Sequence, residues 1–296
     1  MHKRIQKRWR GVAAALAVCL MLVCFSTGVT AQSAWPREDT GDIHTFRYEN
    51  IPVTVENGTY ISNCYLINET TYAPLRSFCA ALCDCSVSFD GKTRTATVEA
   101  EGLYLQARDG EHFIRANGRY LYTDTPVKIL SDGRMYVPVR LLARALGVSV
   151  GWNAAARSVH ISGKVAPILS GDKFYREDEV YWLSRIISAE SRGEPLLGQI
   201  AVGNIVLNRV KCPNYPNTIW GVIFDRKYGT QFSPVANGTV YDEPYYLSVI
   251  AAKLCLEGVT VSEDILFFYE PDIAHSFWIP ANRPYAFRIG HHYFFY

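Results

Sequence analysis

Two segments in the first half of the chain carry the same block 64 residues apart, Tyr72-Ala73-Pro74-Leu75-Arg76 and Tyr136-Val137-Pro138-Val139-Arg140. A turn-rich stretch precedes each block, at 68–70 and 131–134, and a short apolar helix-like stretch follows it, at 78–82 and 141–146. After each helix come two strand-like runs joined by a turn, 87–91 with 96–98 and 150–153 with 158–161, where the offset drops to 63 through a one-residue indel. Self-similarity at a fixed offset means one supersecondary unit used twice. The proline of each block presets φ for the first turn of a helix, and apolar/polar alternation marks strands with one buried face. Residues 48–163 are therefore expected to form a repeated β-hairpin and helix domain. With helices dominating the second half, the fold class is α+β.

This repeated unit resembles the copper amine oxidase N-terminal domain, a stalk-like module. The resemblance implies a spacer or an envelope-binding unit and no copper chemistry, and the stretch contains no ligand cluster. Cys83-Asp84-Cys85 is too tight for the usual zinc spacing. Gly147-Val148-Ser149-Val150-Gly151 fits the G-x-S-x-G pattern of serine hydrolases, but that elbow must follow a strand and open a helix. Here it follows a predicted helix and opens a predicted strand, so Ser149 is not read as a nucleophile.

The first ten residues hold Lys3, Arg4, Lys7, Arg8 and Arg10, an apolar run follows from 11 to 25, and small residues lead to Ala31. This is the pattern of a signal peptide over 1–31, cut after Ala31, with a linker at 32–47. The alternative is an uncleaved anchor, for which the run is shorter than the roughly 20 residues a spanning helix needs. Cys24 follows Met21-Leu22-Val23, which lacks the small residues of a lipoprotein site. The whole chain holds 30 basic and 28 acidic residues, so removal of the basic leader leaves acid in excess and excludes a broad nucleic-acid footprint. A secreted or cell-envelope location follows. Cys64, Cys79, Cys83, Cys85, Cys212 and Cys255 remain, and outside the cytosol an even number allows disulfides.

A linker at 164–177 leads into a second domain, 178–296, that reads as helices separated by loops. The first helix is expected over 178–191, with Gly193 and Pro195 as stop signals. Its apolar stripe is Val180, Leu183, Ile186 and Ile187, and the next position on that face is Glu190. Burial raises a carboxyl pKa toward the value a general acid needs, and such an acid can protonate a glycosidic oxygen. The stripe alone does not settle this, since a lone carboxylate there more often caps the helix or pairs with Arg185 or Arg192. A second helix, 196–211, is apolar on nearly every side and carries Asn204 and Asn208, which either fasten the Glu190 helix or face a substrate. A third is expected from about 242, with Pro244 in its first turn, Leu247, Ile250, Ala251 and Leu254 as its stripe, and Gly258 as its stop.

Ile187-Ser188-Ala189-Glu190-Ser191-Arg192-Gly193-Glu194-Pro195, then Gly198-Gln199-Ile200-Ala201-Val202 and Val206-Leu207-Asn208-Arg209-Val210, are similar to the cell wall hydrolase SleB family of spore-cortex-lytic enzymes. Agreement continues in order through Pro216-Asn217-Thr218-Ile219, Gln231-Phe232-Ser233-Pro234-Val235, Phe267-Phe268-Tyr269 and Ile289-Gly290-His291-His292. The resemblance implies a mostly helical, lysozyme-like catalytic domain in which the first glutamate of the block, Glu190, is catalytic. Glu194 either caps the next helix or acts directly. Gln231, Phe232 and Ser233 match the family's cleft loop and its contacts with sugar, and Tyr269 with the closing aromatics either stacks on sugar faces or packs in the core.

Asp225, Glu243, Asp264 and Asp272 fall in loops or helix starts, so no second acid is placed to complete a two-carboxylate pair. A single acid suits a lytic transglycosylase acting on the bond between N-acetylmuramic acid and N-acetylglucosamine, with hydrolysis as the open alternative. The partner is then the peptidoglycan glycan strand, of spore cortex or of vegetative wall, with no cofactor and no metal. A wall-binding protein that has lost activity is the competing class. A metallopeptidase is disfavoured, because no HExxH or similar set occurs.

Overall fold

The computed structural model describes residues 48–296 apart from Tyr228, Ile273 and His275. The expected signal segment 1–31 and linker 32–47 lie outside the described residues. The described residues belong to one compact unit.

The two repeated blocks pair with each other. Strand Thr70–Pro74 runs antiparallel to Met135–Pro138, with Tyr72 opposite Pro138, Ala73 opposite Val137, and Pro74 opposite Tyr136. Each tyrosine thus faces the other block's proline, and a local pseudo-twofold axis passes between Ala73 and Val137. Both rings are fully buried, and a buried hydroxyl needs a partner. The Tyr72 hydroxyl donates to Pro126 O at 2.8 Å and that of Tyr136 to Asp132 Oδ2 at 2.8 Å. Helices α1 (Leu75–Ala80) and α2 (Val139–Leu146) follow directly. Each proline stands one residue earlier than expected, closing its strand and acting as N-cap with extended ψ of 123° and 126°. Gly147 ends α2 at φ +68°, and any Cβ there would run into the Ala166 carbonyl oxygen.

The hairpins sit where the repeat places them. Cys85–Asp90 turns into Thr95–Ala100 with Asp90 opposite Thr95, and Ser149–Asn153 turns into Ser158–Ser162 with Asn153 opposite Ser158. The first hairpin continues as a five-stranded antiparallel meander through Leu103–Arg108, Phe113–Ala116 and Arg119–Tyr122. The second joins Val53–Val55 by a parallel ladder. Ser149 lies exposed at the start of a strand, as the elbow argument requires. One apolar core, with Phe78, Val98, Leu105, Leu121, Leu142 and Leu146 at its centre, fills this part.

The stretch 164–177 is packed rather than free. Val165 and Ile168 lie against the β-rich core, Asn117 Nδ2 donates to Ile168 O at 2.9 Å, and α3 (Gly171–Phe174) follows. Glu257, whose side chain is fully buried, then ties the two parts together. It accepts two 2.8 Å bonds from Arg119 Nε and Nη2, one of 2.7 Å from Arg144 Nη2, and one of 2.8 Å from the Tyr175 hydroxyl. The Arg119 guanidinium also covers the Phe174 ring at 3.4 Å.

The helical part contains α4 (Glu177–Ser191), α5 (Leu196–Lys211), α6 (Ile219–Ile223), α7 (Ser233–Asn237), α8 (Tyr246–Leu256) and α9 (Trp278–Asn282). Helices α4, α5 and α8 meet at Gly203, where an added Cβ would lie 2.7 Å from Cys255 Sγ and 2.8 Å from Ile187 Cδ1. Only a residue without a side chain allows that approach. Helix α8 begins later than expected, because the Tyr245 N–H donates to Ser188 Oγ at 3.0 Å and holds Tyr245 extended. A three-stranded antiparallel sheet, Phe267–Tyr269, His292–Phe295 and Tyr285–Ile289, closes the chain. All six described cysteines are free thiols, so the disulfides that the even count allowed are not formed. No described helix is long and apolar enough to cross a membrane.

Candidate active site

Helix α4 turns its stripe inward as its periodicity requires. Leu183, Ile186 and Ile187 expose nothing, and Glu190, the next residue on that face, is half-buried. Its surface reaches solvent, but protein atoms crowd the carboxyl, and this desolvation raises its pKa from 4.5 to about 7. The Arg209 guanidinium pulls the other way, and the charge of Glu270 adds to the rise. No side-chain or backbone donor steadies the ionised form. Both alternative readings of the stripe therefore fail: Arg185 Nη2 bonds Glu243 Oε2 at 2.9 Å instead, and Arg192 is exposed with its guanidinium 5.4 Å from the Tyr245 ring.

Arg209 projects from α5 and is itself buried. Its Nε donates to Leu266 O at 2.9 Å, and its guanidinium carbon lies 5.1, 5.3 and 5.4 Å from the rings of Tyr215, Phe232 and Phe267. Burial lowers its pKa, while Tyr215, Asp225 and Glu190 favour the charged form. Its Nη1 is buried with no hydrogen-bond partner, and the three ring faces are the electron-rich surroundings that hold the cation.

Glu270, an acid outside those weighed from the sequence, lies near enough for its charge to act on Glu190. It immediately follows strand Phe267–Tyr269, and its Oε2 lies 3.5 Å from Nε2 of the buried His292. Burial lowers the His292 pKa, opposed by the charges of Glu194 and Glu270. The strand is fixed from α5. Asn204 Nδ2 donates to Val259 O at 2.9 Å, Asn208 Nδ2 donates to Ser262 O and Ile265 O at 3.0 Å each, and Arg209 holds Leu266. The two amides therefore fasten neither α4 nor a substrate, but the segment that delivers Glu270. The signal for this acid was present in the sequence, since it stands directly after an apolar strand whose partner strand begins at His292.

Glu194 does not cap α5, whose N-cap is Pro195 without a side-chain bond. Its buried carboxylate accepts the His291 N–H at 3.0 Å and lies 3.1 Å from His291 Nδ1, pinning the final turn. Gly290 stands there at φ +58°, where any Cβ would collide with Glu194 Oε2. Phe232 is only 2% exposed and packs beneath Arg209, so it offers no face to a sugar. Tyr269 is likewise core, with Phe267 and Phe295. Gln231 is half-buried, donating to Gly229 O at 3.1 Å, and Ser233 is exposed at the start of α7. Among the described residues no group of three or more His, Cys, Asp or Glu is arranged to hold a metal ion.

A buried acid near neutrality, a flanking cation and a second carboxylate can protonate a bridging oxygen and stabilise the cation that forms. Residues 193–295 match the Cell Wall Hydrolase family, a span that begins three residues after Glu190, and residues 49–161 match the copper amine oxidase N-terminal domain. A spore cortex-lytic enzyme of Bacillus cereus is 37% identical over 120 residues, 40% of this chain and 45% of that protein. That of Bacillus subtilis is 36% identical over 120 residues, 40% of this chain and 38% of that protein. The chain thus spans less than half the length of these relatives. The catalytic domain of the germination-specific lytic transglycosylase SleB from Bacillus anthracis is 34% identical, covering 44% of this chain and 100% of that one, with a TM-score of 0.38.

Proposed function

Because residues 193–295 belong to the cell wall hydrolase family, we propose that this chain cleaves the glycan strand of peptidoglycan as a lytic transglycosylase, with Glu190 as acid and then base. The observation that carries the reading is a carboxyl held near pKa 7 by burial beside Arg209 and Glu270. Glu190 gives its proton to the oxygen that joins C1 of N-acetylmuramic acid to N-acetylglucosamine. The C1–O bond breaks, and its electron pair leaves with that oxygen. The carboxylates of Glu190 and Glu270 stabilise the positive charge at C1. Arg209 favours the ionised Glu190 between the steps. Glu190 then takes the proton of the muramic C6 hydroxyl, whose oxygen bonds to C1 and closes a 1,6-anhydro ring. The acid is regenerated and no water is consumed.

Glu270 also supports a second reading, hydrolysis by a water set between two carboxylates. Mass spectrometry of products from purified sacculi separates the two, since anhydro ends lack the water that reducing ends contain. Clearing of sacculi at the wild-type rate by Glu190→Gln would overturn both. The cortex-lytic relatives support an extracytoplasmic, spore-associated setting, and the same product analysis on cortex and on vegetative wall reports the preferred substrate.

A further inference from the structure

The repeat that builds the β-rich part also builds two equivalent cavities. One, about 420 Å³, lies beside Arg76 and Phe89 and is closed by 133–135 of the other repeat. The other, about 550 Å³, lies beside Arg140 and Trp152 and is closed by 69–71. The correspondence follows the repeat offsets, so the pseudo-twofold pairing of the blocks generates both. Each presents an exposed aromatic ring, Phe89 at 52% and Trp152 at 47% exposure.

The two have diverged in chemistry. In the smaller cavity the arginine is occupied, with Arg76 Nη2 donating to Val87 O at 2.8 Å. In the larger one Arg140 is exposed and has no hydrogen bond, ion pair or ring contact among the described residues. The ring there is the larger indole, and the wall carries Glu69, Thr70, Thr71 and Asp124. A flat apolar platform ringed by hydroxyls, carboxylates and one free guanidinium is what a pyranose chain requires. The indole covers the C–H face of a sugar, while the rim bonds its hydroxyls and acetamido oxygens.

We infer that the cavity beside Trp152 and Arg140 is a glycan-binding subsite, which holds an N-acetylated amino-sugar strand while the helical part acts on another stretch of it. The choice of wall glycan as occupant rests on the proposed function; the subsite does not depend on Glu190. Binding is therefore measured in the full chain carrying Glu190→Gln, by co-sedimentation with purified sacculi and by titration with the soluble tetrasaccharide of N-acetylglucosamine. Adding Trp152→Ala or Arg140→Ala should weaken binding of both probes about tenfold, and adding Phe89→Ala should leave it unchanged. Thermal melting of each variant shows whether the fold is retained. Unchanged binding by folded Trp152→Ala and Arg140→Ala would overturn the subsite, as would an equal loss from Phe89→Ala. Sacculus clearing by Glu190→Gln would count against the catalytic reading alone.

Discussion

Glu257 and Glu190 are both carboxylates drawn into the protein, and their surroundings could hardly differ more. Glu257 has two arginines and a tyrosine hydroxyl on its oxygens, supplied from the β-rich part and from the stretch 164–177. Glu190 has desolvation, one opposing cation and one like charge. A buried carboxylate whose oxygens are bonded by donors from several elements is a staple between them. One without donors keeps its proton to near neutrality and can hand it on. The β-rich part is thus joined to the helical part by the first kind of acid, while the proposed chemistry rests on the second.

The sharpest break in this contrast is functional. Glu190→Gln is expected to lower sacculus lysis about 10³-fold while the chain stays folded, read by turbidity and by melting temperature. Glu257→Ala should do the reverse. It leaves Arg119 and Tyr175 facing each other in a buried site, and loss of one partner from a buried pair costs about 3–5 kcal/mol, read as a lower urea midpoint. If Glu257→Ala melts like the wild type, the two parts are joined by something other than this acid.

What the sequence disclosed follows the range of the forces involved. The hairpins at 85–100 and 149–162 and the start and end of α5 rest on local periodicity and turns, and they stand where the pattern puts them. Glu190 was legible as a polar intruder on an apolar stripe. The antiparallel pairing of Tyr72 with Pro138 was not, since a repeat states that two units are alike and not how they meet. The bond from Arg119 to Glu257 spans 138 positions and leaves no periodic trace. Glu270 was overlooked because a carboxylate after a strand looks like a loop acid until α5 is seen to fasten that strand. The start of α8 moved for the same reason: one hydroxyl on α4 outweighs the local preference for helix at Pro244.

The raised carboxyl of Glu190 makes a prediction for stability against pH. A carboxyl raised from 4.5 to about 7 on folding binds its proton more tightly in the native state. Between those values the unfolded chain releases a proton the folded chain keeps, so stability falls as pH rises and the full penalty is present above pH 7. Glu190→Gln should therefore be more stable than wild type at pH 8, by about 3 kcal/mol, and the difference should vanish near pH 4. An equal gain at both pH values would show that the glutamine acts by packing and not by removing a titrating group.

Glu270 offers the smallest effect and the finest discrimination. Its charge lies among the causes that raise Glu190, behind desolvation, so Glu270→Gln should lower the Glu190 pKa by a fraction of a pH unit. Lysis needs the protonated acid, and the alkaline limb of the pH–rate profile should move to lower pH by that fraction. A purely structural role for Glu270, holding His292 beside the strand, predicts a lower rate at every pH with the limb unmoved. The product distribution separates the remaining roles. If Glu270 seats a water, its loss raises the ratio of anhydro to reducing ends; if it only stabilises charge at C1, the ratio stays fixed while the rate falls.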